Sequence, residues 1–161
     1  QARMQDIFQT IAVYTIPVLL AITLHEAAHG YVARLFGDDT AYVAGRVTLN
    51  PLKHIDPIGT VLVPGALFLL HAPFLFGWAK PVPVNFGNLR HPKRDMVWVA
   101  GAGPAANFVM ALGWAFLMNL TGPSGALTSG GAYEMAEAGV QINLALLALN
   151  LLPIPPAIIA T

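Results

Sequence analysis

The sequence predicts an all-α membrane protein with three to four transmembrane or re-entrant segments and a short β-strand or hairpin after the first helix. Composition is the first reason: 56% of the 161 residues are hydrophobic and only 10% are charged, whereas a soluble domain has about 25% charged residues. The second reason is that four long apolar segments occupy residues 7–36, 58–78, 96–120 and 138–152. The chain length predicts a single domain over residues 1–161, with lipid covering much of its surface.

Charge and cysteine content exclude several kinds of function. Eight basic and eight acidic residues give a formal net charge of zero, so the basic excess that nucleic-acid binding requires is missing. There is no cysteine, which excludes disulfides, a thiolate nucleophile and cysteine metal ligands. Because the first residue is Gln1, we expect a processed or trimmed chain. The early apolar run has no small-residue cleavage site, so we interpret it as a membrane helix and not as a signal peptide.

The first apolar segment, residues 7–36, exceeds the length of about 20 residues that a helix needs to cross a bilayer. Pro17 is expected to kink it and Gly37 to end it. Residues 41–50 follow, and their alternating polarity from Gly45 to Asn50 predicts a short strand or one half of a hairpin.

The second apolar segment, residues 58–78, is interrupted by prolines, so it either spans the membrane or enters and leaves on one side. A proline-stiffened basic loop follows at residues 79–95. If the segment spans, the basic residues divide five against three across the membrane; if it is re-entrant, they divide seven against one. The re-entrant alternative fits the positive-inside rule better, with the basic loops in the cytoplasm and the loop at 121–137 outside.

The third and fourth segments, residues 96–120 and 138–152, contain features of helix–helix contacts. Small residues around Gly103 let membrane helices approach closely. Asn143 and Asn150 are seven apart and share a helix face. Either they form interhelical hydrogen bonds, or Asn150 steadies the proline-rich stretch that follows it.

The strongest functional signal is His25-Glu26-Ala27-Ala28-His29, inside the first segment. Two histidines four residues apart lie on one helix face, so both imidazoles can reach one metal ion. Glu26 is placed to take a proton from a water molecule at that metal. Ionisable side chains inside a membrane segment are costly without partners. The pattern therefore predicts a zinc site and not incidental polar residues in a buried helix.

Together with four further motifs, this pattern resembles the site-2 protease family (peptidase family M50) of intramembrane zinc metalloproteases, in its short prokaryotic branch. The further motifs follow in order along nearly the whole chain: Gly45-Arg46-Val47-Thr48-Leu49-Asn50-Pro51, Trp78-Ala79-Lys80-Pro81-Val82-Pro83-Val84-Asn85, Ala102-Gly103-Pro104-Ala105-Ala106-Asn107 and Asn150-Leu151-Leu152-Pro153-Ile154-Pro155-Pro156. The resemblance implies a multi-pass protein of a prokaryotic cell membrane. Its implied partners are the lipid bilayer and a transmembrane protein substrate, often a membrane-tethered regulator. The oligomeric state stays open.

The resemblance also implies roles for individual residues. It implies one Zn²⁺ per chain, with His25 and His29 as ligands and Glu26 as the catalytic general base. It further implies that Asn107 holds the substrate or the developing oxyanion. The alternative for Asn107 is a helix that starts near Pro104 and packs closely through small residues.

The end of the chain departs from the family pattern. In the family, the proline stretch runs into an Asp-Gly pair whose aspartate is the third zinc ligand. Here Pro155-Pro156 is followed by Ala157-Ile158-Ile159-Ala160-Thr161, without a carboxylate. A catalytic zinc usually has three protein ligands, so we expect either a chain cut or altered at this point or an impaired site. The other donors are not expected to substitute: Glu134 and Glu137 in a far-side loop, His54 and Asp56 capping a turn, and His71 and His91 as structural residues.

The predicted function is therefore an intramembrane zinc metalloprotease that hydrolyses peptide bonds within transmembrane segments. The alternative is a catalytically impaired or truncated family member that binds substrate or metal without turnover. A metal transporter would not need the Gly-Pro-x-x-Asn or Pro-Val-Pro-Val elements. The strand predicted within residues 41–50 either pairs with an unwound substrate segment or is a plain structural hairpin.

Overall fold

The computed structural model describes residues 2–73, 79–122, 125 and 131–152. The described chain is helical, which confirms the all-α prediction. Its helices are α1 (Ala2–Leu35), α2 (Thr40–Val43), α3 (Val63–Leu69), α4 (Pro92–Thr121) and α5 (Ala132–Leu151). Short 3-10 turns lie at Pro51–His54 and Phe86–Asn88, and Pro57–Leu62 is a π-helical turn that leads into α3.

Helices α1, α4 and α5 pack against one another and form a three-helix body. The buried face of α4 repeats every four residues, and its members are Asp95, Val99, Gly103, Asn107 and Ala111. Small side chains let the helices approach closely. At Gly139 of α5, an added Cβ would lie 2.5 Å from Cδ1 of Trp114 on α4, so only glycine fits this helix contact.

The contacts between the three helices fix their directions. His25 of α1 contacts Asn107 of α4, and His29, one turn later, contacts Val99, so α1 and α4 are antiparallel. Asn143 of α5 contacts the same Asn107, and Gly139, one turn earlier, meets Trp114, so α5 is antiparallel to α4. Because α1 and α4 are antiparallel, the connecting region (residues 36–91) begins and ends at the same end of the body.

Two described helices are long and apolar enough to cross a membrane, Arg3–Leu35 and Pro92–Thr121. The first and third predicted segments thus meet this criterion, whereas the second (58–78) and the fourth (138–152) do not meet it among the described residues. Pro57–Leu69 is an apolar helix of fewer than 18 residues, and at 1.5 Å per residue it cannot cross a hydrocarbon core of about 30 Å. Residues 74–78 of the predicted second segment lie outside the described residues.

The strand predicted within residues 41–50 is wrong. Residues Thr40–Val43 form α2, and residues 44–50 are turns and bends. Local side chains satisfy the backbone there without a sheet partner. The Asp38 carboxylate accepts from the Thr40 backbone N–H at 3.1 Å, and the Asn50 side chain accepts from the Leu52 N–H at 3.1 Å. Such side-chain bonds compete with strand pairing.

Two further boundaries differ from the sequence prediction. Helix α5 begins at Ala132, six residues before the predicted segment, so Glu134 and Glu137 lie on a helix and not in a loop. Gly131 precedes α5 with a left-handed φ of 84°, and acidic residues near a helix N-terminus are favourable. Helix α4 begins at Pro92, so the last four residues of the predicted basic loop are helical.

Candidate metal centre

His25 and His29 bring their imidazoles together on the face of α1 that packs against α4. Both side chains are half-buried. The two Nε2 atoms are 3.1 Å apart, and the ring centroids are 4.7 Å apart. The structure therefore places the two predicted ligands where one ion can touch both.

The other ring nitrogens, the two Nδ1 atoms, each face a hydrogen-bond acceptor. His25 Nδ1 lies 2.5 Å from Asn107 Oδ1, and His29 Nδ1 lies 2.7 Å from the Val99 carbonyl oxygen. A carbonyl oxygen only accepts, so each Nδ1 carries the proton and donates it. Each neutral ring then has an unprotonated Nε2, and the two lone pairs face each other.

A cation between the two Nε2 atoms would be bound by both lone pairs at once. Two nitrogens bound to tetrahedral zinc at about 2.0–2.1 Å would be about 3.3–3.4 Å apart, close to the observed 3.1 Å. Metal-binding histidines typically donate their second ring N–H to a carbonyl or carboxylate. The residues present therefore fit zinc as two of its ligands.

Gly103 keeps the space beside the two histidines open. A Cβ added at this position would lie 2.6 Å from His25 Nε2, and it would also strike His29 Nε2. The sequence prediction assigned Gly103 only to helix packing and missed its place in the site. The signal was its spacing, since Val99, Gly103 and Asn107 are four residues apart and meet the histidines on successive turns.

Asn107 is completely buried, and its side chain contacts both other helices of the body. Its Oδ1 accepts from His25, and its Nδ2 donates to Asn143 Oδ1 at 2.9 Å and lies 3.5 Å from the Ala21 carbonyl oxygen. Asn143 Nδ2 in turn donates to the Gly139 carbonyl at 2.8 Å. The expected oxyanion role of Asn107 stays a prediction, and it would require Asn107 to exchange the bond to Asn143.

The two candidate asparagines of α5 thus have different surroundings. Asn143 is buried and makes the interhelical bond to Asn107. Asn150 is exposed and donates to the Leu146 carbonyl of its own helix at 2.7 Å. The sequence prediction grouped the two and did not connect Asn143 with the site.

Glu26 is adjacent to His25 in sequence, and a residue of the connecting region holds its carboxylate by a hydrogen bond. Its Oε2 accepts a hydrogen bond from the Val82 backbone N–H at 3.0 Å. Val82 lies between Pro81 and Pro83, which have no N–H, so it is the one residue of that triplet that can donate to the carboxylate. Sequence reasoning missed this contact, although the Pro-Val-Pro-Val motif that provides it was recognised.

The segment that carries Val82 is anchored on both sides. Lys80 donates its N–H to the His54 carbonyl at 3.0 Å and accepts from Arg46 Nη2 at 2.7 Å. Asn85 donates its N–H to Asp38 Oδ2 at 2.7 Å. These bonds hold the segment against the rest of the connecting region, and the Val82 N–H joins it to Glu26 of α1.

Asp38 lies just beyond α1 and is fully buried. Burial alone raises the pKa of its carboxyl group. Hydrogen bonds from the Thr40 hydroxyl, the backbone N–H groups of Asn85 and Thr40, and the Asn88 side chain outweigh burial and hold the pKa below its usual value. Asp38 is therefore a charged anchor for the segment that reaches Glu26.

A third metal ligand is not found within the described part of the chain, where no group of three His, Asp, Glu or Cys side chains could hold an ion. Residues 153–161, the stretch where the family pattern would supply it, lie outside the described residues. The other donors have separate surroundings: Asp56 caps the turn at Ile58 and Gly59, His54 Nε2 contacts the Thr48 carbonyl, His71 follows α3, His91 precedes α4, and Glu134 and Glu137 lie on α5.

Comparison with known proteins finds relatives named as zinc metalloproteases. The chain is 43% identical over 145 residues to "Putative zinc metalloprotease YwhC" of Bacillus subtilis, a match covering 88% of this chain and 63% of that protein. It is 33% identical over 141 residues to "Putative zinc metalloprotease Rip2" of Mycolicibacterium smegmatis and of Mycobacterium tuberculosis. These matches cover 85% of this chain and 50% of each Rip2 protein.

The chain thus spans between half and two thirds of the length of these relatives. No protein-family model matches it, and no solved structure does. The similarity supports a metallopeptidase that uses zinc, consistent with the histidine pair.

Proposed function

We propose that this chain forms the core of an intramembrane zinc metalloprotease of the site-2 type, which hydrolyses peptide bonds within transmembrane segments of membrane-tethered proteins. The observation that carries the proposal is the histidine pair. Its two Nε2 atoms are 3.1 Å apart, both Nδ1 protons are taken by acceptors, and Glu26 is adjacent in sequence. The relatives named as zinc metalloproteases support the same chemistry.

Different residues of the site would bind zinc and transfer the proton. His25, His29 and a third ligand would hold zinc, which would supply Lewis-acid activation of water. Glu26 would accept a proton from the attacking water as general base and then donate it to the departing amine as general acid. The Val82 N–H keeps the carboxylate in place, while Asn107 and the Val99 carbonyl hold the two rings.

The helix arrangement supports a location inside the membrane. His25 is ten residues before the end of α1, or about 15 Å at 1.5 Å per residue, so the site would lie below the membrane surface if α1 spans. The antiparallel pairing of α1 and α4 returns the connecting region to one side, which supports the re-entrant interpretation of the second segment. With the basic residues of that region, the positive-inside rule then assigns this side to the cytoplasm.

Helix α3 fits such a re-entrant segment. Within the described residues it contacts the turn that precedes it and no other helix. Its end is apolar and exposed, with Phe68, Leu69 and Leu70 each more than 70% accessible. Lipid would cover these side chains in a membrane.

The test is zinc content and cleavage measured together. The purified chain in lipid bilayers, with the Asp-Gly pair of the family pattern supplied after Pro156, is expected to bind one zinc and to cleave a reporter membrane helix. Glu26→Gln should keep the zinc and lose cleavage by about 10²–10⁴-fold, since general base catalysis contributes that much. Glu134→Gln, at the far end of the body, is the matched control and should cleave normally.

Two results would count against the proposal. Full cleavage by Glu26→Gln would exclude this residue as the base. Stoichiometric zinc without cleavage by the chain with the Asp-Gly pair would favour the alternative, a relative that binds metal or substrate without turnover.

A further inference from the structure

We propose that Asn143 on α5 is a positioning residue for the metal centre: through Asn107, it determines which nitrogen of His25 carries the proton. This inference rests on the proposed zinc site, because its consequence is the availability of His25 Nε2 as a ligand. Asn143 itself bonds to Asn107 and to the Gly139 carbonyl, and not to either histidine.

The direction of the hydrogen-bond relay is set at its far end, by the Gly139 carbonyl. A carbonyl oxygen only accepts, so Asn143 must turn its Nδ2 toward Gly139 and its Oδ1 toward Asn107. Asn107 then has to present Nδ2 to Asn143, and its Oδ1 is left facing His25. Asn107 Nδ2 also lies 3.5 Å from the Ala21 carbonyl oxygen, but its bond to Asn143 Oδ1, at 2.9 Å, is the shorter of the two. Asn143 is in turn oriented by the Gly139 carbonyl, a backbone acceptor that cannot change its role.

Burial excludes water that could otherwise replace the hydrogen-bond partners of the two amides. Asn107 and Asn143 are both completely buried. Each buried amide therefore depends on its protein partners, and leaving a buried donor or acceptor unpaired is costly. The close approach of α5 to α4 at Gly139, against Trp114, brings the carbonyl and the two amides within reach of one another.

Reversal of the Asn107 amide would change the chemistry of His25. With Nδ2 facing the ring, His25 Nδ1 would have to accept, and in the neutral imidazole the proton would move to Nε2. A protonated Nε2 cannot bind a metal. Asn143 thus favours the form of His25 in which Nε2 is free for zinc.

His29 provides an internal comparison, since it needs no relay. Its Nδ1 donates directly to the Val99 backbone carbonyl, which has no reversed orientation. A substitution at position 143 should therefore move the proton of His25 from Nδ1 to Nε2 and leave the proton of His29 on Nδ1. A general loss of helix packing would affect both rings.

The experiment measures the protonated nitrogen of each ring by NMR in zinc-free protein with ¹⁵N-labelled histidine, at about pH 8.5, where an imidazole with a usual pKa near 6.5 is neutral. In the unaltered chain, both His25 and His29 should be protonated at Nδ1. Asn143→Leu, which is similar in size but has no polar atoms, should shift His25 toward Nε2 protonation and leave His29 unchanged. Zinc affinity should fall by about 10–100-fold, as is usual when a group that orients a metal ligand is removed.

Asn150→Leu is the matched control for the NMR measurement. It makes the same substitution on the same helix and removes the same kind of bond to the carbonyl four residues earlier, without touching Asn107. His25 should remain protonated at Nδ1. A shift of His25 in this control equal to that in Asn143→Leu would overturn the proposal.

A double variant separates positioning from a structural role. A carboxylate at position 107 has no donor to turn toward the ring, so Asn107→Asp should keep His25 protonated at Nδ1 without help from Asn143. Asn143→Leu added to Asn107→Asp should therefore restore Nδ1 protonation at His25. If Asn143→Leu does not fold, Asn143→Ala removes the same amide with the best helix-forming residue, and it should shift His25 toward Nε2 protonation in the same way.

The proposal is overturned if Asn143→Leu leaves the proton of His25 on Nδ1 and zinc affinity unchanged, or if the double variant shows no restoration. The NMR measurement needs neither zinc nor cleavage. A chain that binds no zinc at all would therefore contradict the proposed function, while the proton positions would still test the relay.

Discussion

The three-helix body and the connecting region (residues 36–91) hold different parts of the site by different interactions. In the body, the histidines are oriented by a buried amide and a helix carbonyl, and Gly103 leaves them room. In the connecting region, the backbone N–H of Val82 holds the Glu26 carboxylate. Helix packing thus determines the orientation of the two histidine rings, whereas an anchored loop segment determines the position of the Glu26 carboxylate.

This difference means that the two functions should be separable by mutation. Changes in the body are expected to alter zinc affinity. Changes in the connecting region are expected to alter the cleavage rate or the stability, with zinc retained. The predictions below test this division, from the largest expected effect to the smallest.

Gly103→Ala should have the largest effect, because the added methyl group would fall on the metal-binding nitrogens. We expect zinc affinity to fall by at least about 100-fold, measured by competition with a zinc chelator. Gly101→Ala and Gly113→Ala are matched controls on the same helix, since an added Cβ meets nothing within 4 Å at either position. Normal zinc binding by Gly103→Ala would show that the ion does not sit at the histidine pair.

Val82→Pro should affect catalysis without affecting the metal. Proline removes the N–H that Glu26 accepts from, and a hydrogen bond to a charged group contributes about 1.5–3 kcal/mol. We expect kcat to fall by about 10-fold or more while zinc content stays at the level of the unaltered chain. Val82→Ala keeps the N–H and should cleave nearly normally. Equal losses in the two variants would mean that the side chain, and not the hydrogen bond, matters.

Asp38→Asn should have a smaller effect, on stability and its pH dependence. Because the pKa of Asp38 is held below its usual value of about 3.9, its stabilisation is fully present above that value. The stabilisation disappears as pH falls through the lowered pKa. Asn cannot accept at both oxygens, so we expect a loss of about 1–3 kcal/mol at neutral pH.

The measurement for Asp38 is the thermal unfolding midpoint in detergent as a function of pH. The unaltered chain should lose stability in the acid range, and Asp38→Asn should lose less of it there. Asp39→Asn, at an exposed neighbour, should behave like the unaltered chain. An identical acid response in Asp38→Asn would show that another carboxylate is responsible.

The body could be predicted from the sequence because its signals are local. The length of the apolar segments predicted α1 and α4, and the four-residue spacing of His25 and His29 predicted a shared helix face. The start of α5 was missed because Glu134 and Glu137 make the first turns polar, although acidic residues suit a helix N-terminus.

The connecting region and the site partners could not be predicted because they depend on contacts between distant residues. Glu26 meets Val82, which is 56 residues away, and His25 meets Asn107, which is 82 residues away. The predicted strand failed for a different reason. Its alternating polarity is real, but Asp38 and Asn50 turn the backbone locally, and Arg46 binds the Lys80 carbonyl within the loop.

The most direct test of the zinc site is crystallographic, by anomalous diffraction at the zinc absorption edge from the protein prepared with stoichiometric zinc. A single peak should lie between His25 and His29, within about 2.0–2.1 Å of both Nε2 atoms. The Nδ1 atoms should keep their contacts with Asn107 and the Val99 carbonyl. No peak at the histidine pair, or a peak at His71 or His91 instead, would contradict the account.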